Sequence, residues 1–163
     1  MTINNSSITG NSAKTTGGGI NNTTGTLNIN SSTIDSNNAT TSGGGINASS
    51  GTVNINSPLG SAGSTISNNV SVLGGGLSLS TSGTVTIRNS TIAKNTATGT
   101  TGGGGIAIGT SILNIQNTTI AINAATGAGS TGGGFRRTSG TINLTSSIIA
   151  DNTSLAGGAD GHS

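Results

Sequence analysis

Short stretches of alternating apolar and polar residues recur along this chain, separated by glycine-rich segments. Strict alternation is typical of a β-strand with one buried face. The stretches are too short for helices, so the pattern predicts β-structure throughout. The alternating apolar pairs are Leu27/Ile29, Val53/Ile55, Val85/Ile87, Leu113/Ile115 and Ile142/Leu144.

Each alternating pair belongs to a longer repeat, which opens with three glycines and an apolar residue and closes with an Ile-x-x-Asn motif. A period of this length is typical of solenoid proteins. The glycine triplets begin at Gly17, Gly43, Gly74, Gly103 and Gly132, at intervals of 26, 31, 29 and 29 residues. The closing motifs are Ile8/Asn11, Ile34/Asn37, Ile66/Asn69, Ile92/Asn95, Ile120/Asn123 and Ile149/Asn152.

The repeat predicts an all-β fold, a right-handed parallel β-helix (a β-solenoid) of about five to six coils of 26–31 residues, with three short strands per coil. One unit holds about five apolar residues, too few to compensate for the entropy lost in ordering its backbone. The coils must therefore stack, with equivalent strands ~4.8 Å apart. The right-handed winding follows from the rule for parallel crossover connections.

The repeated asparagines predict an internal ladder, in which each amide bonds its neighbours and the turn backbone. This predicted ladder consists of Asn11, Asn37, Asn69, Asn95, Asn123 and Asn152. The glycine triplets fit a corner that needs positive φ or close backbone approach. A phosphate-binding loop is the competing interpretation of the triplets, but they lack the following Lys-Ser/Thr and a helix to open.

The repeat also predicts domain boundaries, with residues 1–163 forming a single solenoid domain. Residues 1–16 form a partial first coil, and residues 58–63 lengthen the third unit as a surface loop. Residues 153–163 are either a tail or the start of a further coil. In that segment Gly157-Gly158-Ala159 resembles a glycine triplet, which would place Asp160 in the apolar position.

Gly-Gly-Gly-Ile combined with Ile-x-x-Asn resembles the GGA(I/L/V) and FxxN repeats of the chlamydial polymorphic outer-membrane proteins. It is also similar to bacterial right-handed parallel β-helix surface proteins with such repeats. The resemblance extends from Ile3 to Gly158, although Ile replaces the Phe of FxxN throughout. It implies a non-enzymatic structural or adhesive module of a secreted or bacterial cell-surface protein, comparable to stalks, autotransporter passengers and adhesins.

Composition narrows the chemistry further. The chain has no Cys, which excludes disulfides and thiolate metal sites. It has five basic residues, three acidic residues and one His, and the basic residues form no stripe that would indicate a nucleic-acid partner. No apolar run approaches the ~20 residues of a membrane helix, so we expect no membrane insertion by this segment. The N-terminus lacks the basic and apolar regions of a signal peptide.

The acidic residues give no candidate catalytic pair. Asp35 and Asp151 lie four units apart, about 19 Å at ~4.8 Å per coil, whereas paired glycosidase carboxylates stand ~5–9.5 Å apart. His162 lies in a polar tail with only Asp160 nearby, and we expect that tail to be flexible. We therefore expect no enzymatic activity, no cofactor and no metal.

The outward positions are the remaining place for a binding function. Thr33, Thr65, Thr91 and Thr119, each directly before a repeat Ile, form a candidate surface-binding column. A regular threonine array is what an ice-binding face requires, but Thr is also a common solvent-facing strand residue. Polysaccharide binding is a third hypothesis, which the absence of Trp and Tyr argues against.

Two further expectations concern contacts. A solenoid that begins and ends within a turn exposes strand edges, so we expect either end-to-end stacking into a filament or flanking coils of a longer chain. A host surface, a glycan or ice is the external partner that these hypotheses allow. In the Arg136-Arg137 pair, strand alternation predicts that Arg136 points outward and Arg137 inward or into a turn.

Overall fold

The structure is a computed structural model that describes residues 1–56 and 62–162. The described chain is all-β and contains no helix. Four parallel six-stranded sheets run along a β-solenoid of about six turns, and each complete coil takes one strand from every sheet.

The strands follow the same order in every coil, from sheet A through sheets B and C to sheet D. Sheet A comprises β1 (Thr2–Asn4), β5 (Thr26–Asn30), β9 (Thr52–Asn56), β13 (Thr84–Arg88), β17 (Ile112–Gln116) and β21 (Thr141–Thr145). Sheet B comprises β2 (Ser7–Thr9), β6 (Thr33–Asp35), β10 (Ser64–Ser67), β14 (Ser90–Ala93), β18 (Thr119–Ala121) and β22 (Ile148–Ala150). Sheet C comprises β3 (Ser12–Ala13), β7 (Asn38–Ala39), β11 (Val70–Ser71), β15 (Thr96–Ala97), β19 (Ala124–Ala125) and β23 (Thr153–Ser154). Sheet D comprises β4 (Ile20–Asn22), β8 (Ile46–Ala48), β12 (Leu77–Leu79), β16 (Ile106–Ile108), β20 (Phe135–Arg137) and β24 (Gly161–His162).

The prediction of three strands per coil is wrong, because sheet C supplies a fourth. Its strands are only two residues long and directly follow the repeat asparagines. Their second positions carry small residues, which give no alternating apolar pattern for a sequence-based prediction to detect. These positions are Ala13, Ala39, Ser71, Ala97, Ala125 and Ser154.

The longer third unit leaves the strand register intact. Ile55 aligns with Ile29 and Ile87 in sheet A, and Ile66 aligns with Ile34 in sheet B. The insertion therefore shifts neither neighbouring strand out of alignment. Of the predicted loop 58–63, residues 58–61 lie outside the described residues, and the other two are exposed.

The glycine triplet allows two backbone segments to approach at the corner before sheet D. Gly43 turns the chain with φ 65°. A Cβ on Gly44 would lie 2.5 Å from the carbonyl oxygen of Gly75, and one on Gly45 would lie 3.0 Å from Nδ2 of Asn69. Side chains are excluded at both positions, since such distances are well inside van der Waals contact. The triplet therefore packs directly against the next coil and the asparagine ladder.

Candidate functional site

The asparagine ladder is the most regular polar feature of the described rod, and the prediction of such a ladder is confirmed. At each step, the backbone N–H and the side-chain Nδ2 of one asparagine donate to Oδ1 of the asparagine one coil further on. Both hydrogen bonds measure 2.9 or 3.0 Å at all five steps from Asn11 to Asn152.

The interior members of the ladder are buried with their polar atoms satisfied. Asn95 is fully buried. Its Nδ2 also donates to the carbonyl of Ile66 in the preceding coil at 2.9 Å, and its Oδ1 accepts two bonds from Asn69. Burial without such partners would be costly. The ladder can therefore occupy the interior because each amide provides hydrogen-bond partners for the polar atoms of its neighbours.

The ladder is accompanied by left-handed backbone at the residue before each asparagine. These residues are Gly10, Ser36, Asn68, Lys94, Ile122 and Asp151, with φ between 52° and 69°. Glycine and asparagine adopt this conformation readily, whereas a β-branched side chain is strained there. Ile122 is the strained member, and its side chain is 54% exposed.

A second ladder, built from hydroxyls, lies at the corner between sheets A and B. The backbone N–H of Ser6 donates to Oγ of Ser32 at 3.1 Å, and that of Ser32 donates to Oγ of Ser64 at 3.3 Å. Sequence reasoning missed this ladder, although a hydroxyl residue stands two positions before every repeat Ile. The members of that column are Ser6, Ser32, Ser64, Ser90, Thr118 and Ser147.

Asp160 closes the asparagine ladder at its C-terminal end. Its Oδ1 accepts from the backbone N–H of Asn152 at 3.2 Å and from Asn152 Nδ2 at 2.9 Å. These are the two bonds that an asparagine of a further coil would accept. A carboxylate suits this place because the aligned amides present only donors there.

The register at this end corrects the sequence interpretation of residues 157–162. Gly161, not Asp160, pairs with Phe135 and so takes the apolar position. A Cβ on Gly161 would lie 2.3 Å from the Phe135 ring, so the ring occupies the space that an apolar side chain would fill. His162 pairs with Arg136 in β24 rather than lying in a structureless tail.

The candidate threonine column is continuous on the outer face of sheet B. Thr33 pairs with Thr65, Thr65 with Thr91, and Thr91 with Thr119. Thr33 is exposed and the other three are half-buried. Ser7 extends the column at one end and Ile148, which is 61% exposed, at the other.

The neighbouring outward column of sheet B changes in chemistry along the rod. It reads Thr9, Asp35, Ser67, Ala93, Ala121 and Ala150. The hydroxyl of Ser67 donates to Asp35 at 2.5 Å, Ser36 donates at 2.7 Å and Asn68 at 2.8 Å. These hydrogen bonds, that of Ser67 first, lower the pKa of the Asp35 carboxyl by stabilising its charged form.

The outer face of sheet A carries amide pairs instead of a ladder. Asn54 Nδ2 donates to Asn28 Oδ1 at 2.9 Å, and Asn143 Nδ2 donates to Asn114 Oδ1 at 2.8 Å. Thr86 stands between the two pairs in the same column. A further column on this face contains Thr26, Thr52, Thr84 and Thr141, and it is likewise interrupted by Ile112, which is 44% exposed.

The arginine pair divides as strand alternation predicts. Arg137 aligns with the buried Ile108, and its Nη1 donates to the carbonyl of Gly140 in the following turn at 3.1 Å. Arg136 aligns with Ala107 on the outer side of sheet D. The Arg137 guanidinium therefore bonds a turn of the backbone, whereas Arg136 lies on the outer side of the sheet.

The described residues include no group of three or more His, Cys, Asp or Glu side chains that could hold a metal ion. Within that same part of the chain, no helix is long and apolar enough to cross a membrane. The candidate features are therefore the two outer faces, the ends of the rod and the outer side of sheet D.

Comparison of the chain with protein-family models, with curated proteins and with solved structures finds no match. The class of protein that the structure defines is a parallel β-solenoid with an internal asparagine ladder. The resemblance to the chlamydial polymorphic outer-membrane proteins stays a hypothesis.

Proposed function

We propose that the chain is a non-enzymatic structural module, a rigid β-solenoid segment of a secreted or cell-surface protein. The observation that carries this proposal is the asparagine ladder, which continues without a break from Asn11 to Asn152. A buried ladder together with parallel strand pairing ties every coil to the next. Such a rod is suited to holding other segments at a fixed separation.

The distribution of repeated residues supports the same proposal. Repetition is strongest at positions that join coil to coil: the core isoleucines, the ladder asparagines and the corner glycines. The outward columns vary, as the change from Asp35 to Ala93 on sheet B illustrates. A surface that recognised one ligand along the whole rod would repeat its outward chemistry in each coil.

End-to-end association is the partner contact that follows from this function. The chain contributes six strands to each sheet, so a second copy can extend all four sheets in register. Asp160 opposes that contact, because its carboxylate occupies the place that Asn11 of the second copy would take. Stacking through the ladder therefore requires the Asp160 side chain to move.

Replacing Asp160 tests both the rod and its association. We expect the wild-type chain to scatter X-rays as a compact monomer about 25–30 Å long, from six coils at ~4.8 Å. Asp160→Gly removes the carboxylate, and we expect longer rods at rising concentration, visible by electron microscopy. Asp151→Gly is the matched control, because it removes an acid of the same coil and leaves the ladder closed.

Different outcomes contradict different parts of the proposal. A wild-type scattering profile that does not fit a monomer of this length would refute the structural module itself. Rods of unchanged length for Asp160→Gly would refute only the end-to-end contact. Fractionation of the source cells tests the location, which a cytosolic signal would contradict.

Ice binding is a second candidate function, favoured by the aligned column from Thr33 to Thr119. One threonine per coil places hydroxyl and methyl groups at a constant spacing of ~4.8 Å. The column ends at Ile148, and its neighbour column differs from coil to coil, so the regular part of the face is narrow.

Thermal hysteresis measurements separate this candidate from the structural one. If the column binds ice, Thr91→Tyr and Thr119→Tyr should each abolish hysteresis, because a large side chain disrupts a flat face. Thr86→Tyr on sheet A is the matched control and should leave hysteresis unchanged. An absence of hysteresis in the wild-type chain would reject ice binding.

A further inference from the structure

The outer side of sheet D contains a small cavity between stacked coils. Ser78, Ala107 and Arg136 align one above another at the outward positions of β12, β16 and β20. Ala107 is small, so a space remains between the serine and the arginine. The resulting cavity has a volume of about 70 Å³, and Leu73, Ser80 and Thr138 also line it.

The serine of this cavity has a hydroxyl that no described residue binds. Ser78 is only 3% exposed, yet its Oγ has no hydrogen-bond partner within residues 1–56 and 62–162. Among the described residues, Ser78 Oγ is not one of the solvent-inaccessible polar atoms that lack a partner. The hydroxyl is therefore open to the cavity and available to bind a polar ligand there.

Arg136 brings a positive charge to the cavity that no described acid balances. The guanidinium of half-buried Arg136 forms no hydrogen bond or ion pair to any described residue. No acid among the described residues lines the cavity, and the Asp160 carboxylate bonds Asn152. An arginine fork without an anion binds planar oxyanions in bidentate geometry.

The geometry points to a carboxylate-binding site in this cavity, formed by the Arg136 guanidinium and the Ser78 hydroxyl. A cavity of about 70 Å³ has room for more than one water molecule, so a carboxylate headgroup fits there. The single positive charge matches a monoanion. The site is independent of the structural role proposed above.

NMR titration of the full chain with sodium acetate tests this site. We expect shifts at the Arg136 Nε–H and the Ser78 amide. Arg136→Gln should weaken acetate binding at least about tenfold, because hydrogen bonds to charged groups are the strong ones. Ser78→Ala should weaken it several-fold by removing the second donor. Arg88→Gln, which removes an exposed arginine on sheet A, is the matched control and should leave binding unchanged.

A third variant tests whether acetate binds in the cavity itself or is only attracted by the positive charge of the surface. Ala107→Val fills the cavity without changing any charge, and we expect it to prevent acetate binding. Thermal unfolding of each variant checks that the coil stays folded. If Ala107→Val unfolds, Ser78→Ala decides the question, because it removes one oxygen and adds no volume.

Further probes identify the source of the carboxylate. Glucuronate binding at least as tightly as acetate would indicate an acidic sugar, and acetate binding alone would indicate a free small acid. Glucose is the neutral control. Equal binding of sulfate would overturn the carboxylate assignment. No acetate-induced shift at either residue, or equal losses in Arg136→Gln and Arg88→Gln, would overturn the site.

Discussion

Two sets of asparagines in this rod make the same amide-to-amide hydrogen bond in different surroundings. Inside, Asn69 and Asn95 bond at 2.9 Å and are fully buried. Outside, Asn54 and Asn28 also bond at 2.9 Å, but both side chains are partly solvated. The two hydrogen bonds therefore have the same length, although the inner side chains are buried and the outer ones are not.

The comparison shows that burial, rather than bond length, decides what a ladder contributes. An exposed amide that loses its partner bonds water instead, so little stability is lost. A buried amide has no such alternative, and its loss leaves neighbouring donors unsatisfied. The inner ladder accordingly continues through six coils, while the outer column tolerates Thr86 in its middle.

The largest expected effect comes from breaking the inner ladder. Asn95→Ala leaves the N–H and Nδ2 of Asn69 without their acceptor, and we expect the free energy of unfolding to fall by about 1–3 kcal/mol. Asn54→Ala, the matched outer change, should alter it by less than about 0.5 kcal/mol. Urea denaturation of both variants measures the difference, and similar losses would contradict the role of burial.

The next effect concerns the backbone beside the ladder. Ile122→Asn places a residue that tolerates φ 58° next to Asn123, and we expect a gain of about 1 kcal/mol. Ile148→Thr removes an exposed isoleucine from an extended strand and is the control for lost surface hydrophobicity. Denaturant midpoints report both changes. A gain shared equally by the two variants would show that backbone strain is not its source.

A smaller effect is the pH dependence contributed by Asp35 on the outer face. Its hydrogen bonds lower the folded-state pKa, so they stabilise the fold above the unfolded-state pKa. This stabilisation is lost as the pH falls through the folded-state pKa. Between about pH 5 and pH 2, the wild-type free energy of unfolding should decrease by up to about 1 kcal/mol more than that of Asp35→Asn.

Ser67→Ala removes the largest cause of that pKa shift without removing the carboxyl group. Its pH dependence should lie between those of the wild-type chain and Asp35→Asn. Stability curves of wild type and Asp35→Asn that run parallel across this pH range would show that the outer hydrogen bonds contribute nothing measurable.

The smallest effect comes from completing the outer column. Thr86→Asn would join the Asn28–Asn54 and Asn114–Asn143 pairs into one continuous exposed ladder. We expect a change within about 0.5 kcal/mol, because each new bond replaces a bond to water. A gain comparable to the loss in Asn95→Ala would mean that continuity, and not burial, stabilises a ladder.

Repetition made much of this molecule predictable. A side chain that meets its equivalent in the next coil recurs at a fixed sequence spacing, so the solenoid and the ladder from Asn11 to Asn152 were readable. The two-residue strands of sheet C were not, because Ala39 and Ser71 resemble ordinary turn residues. The hydroxyl ladder of Ser32 and Ser64 corresponds to a Ser or Thr two positions before every repeat Ile, but only the hydrogen bonds of the structure show why that residue is repeated.

The sequence by itself determined which residues stack, since coil-to-coil contacts join equivalent positions of the repeat. Only the tertiary structure decided what happens where the repeat is broken. Asp160 closes the ladder, and Gly161 makes room for the Phe135 ring. Arg136 and Ser78 meet at one cavity across Ala107. These contacts depend on the local packing of unlike side chains, which no sequence period encodes.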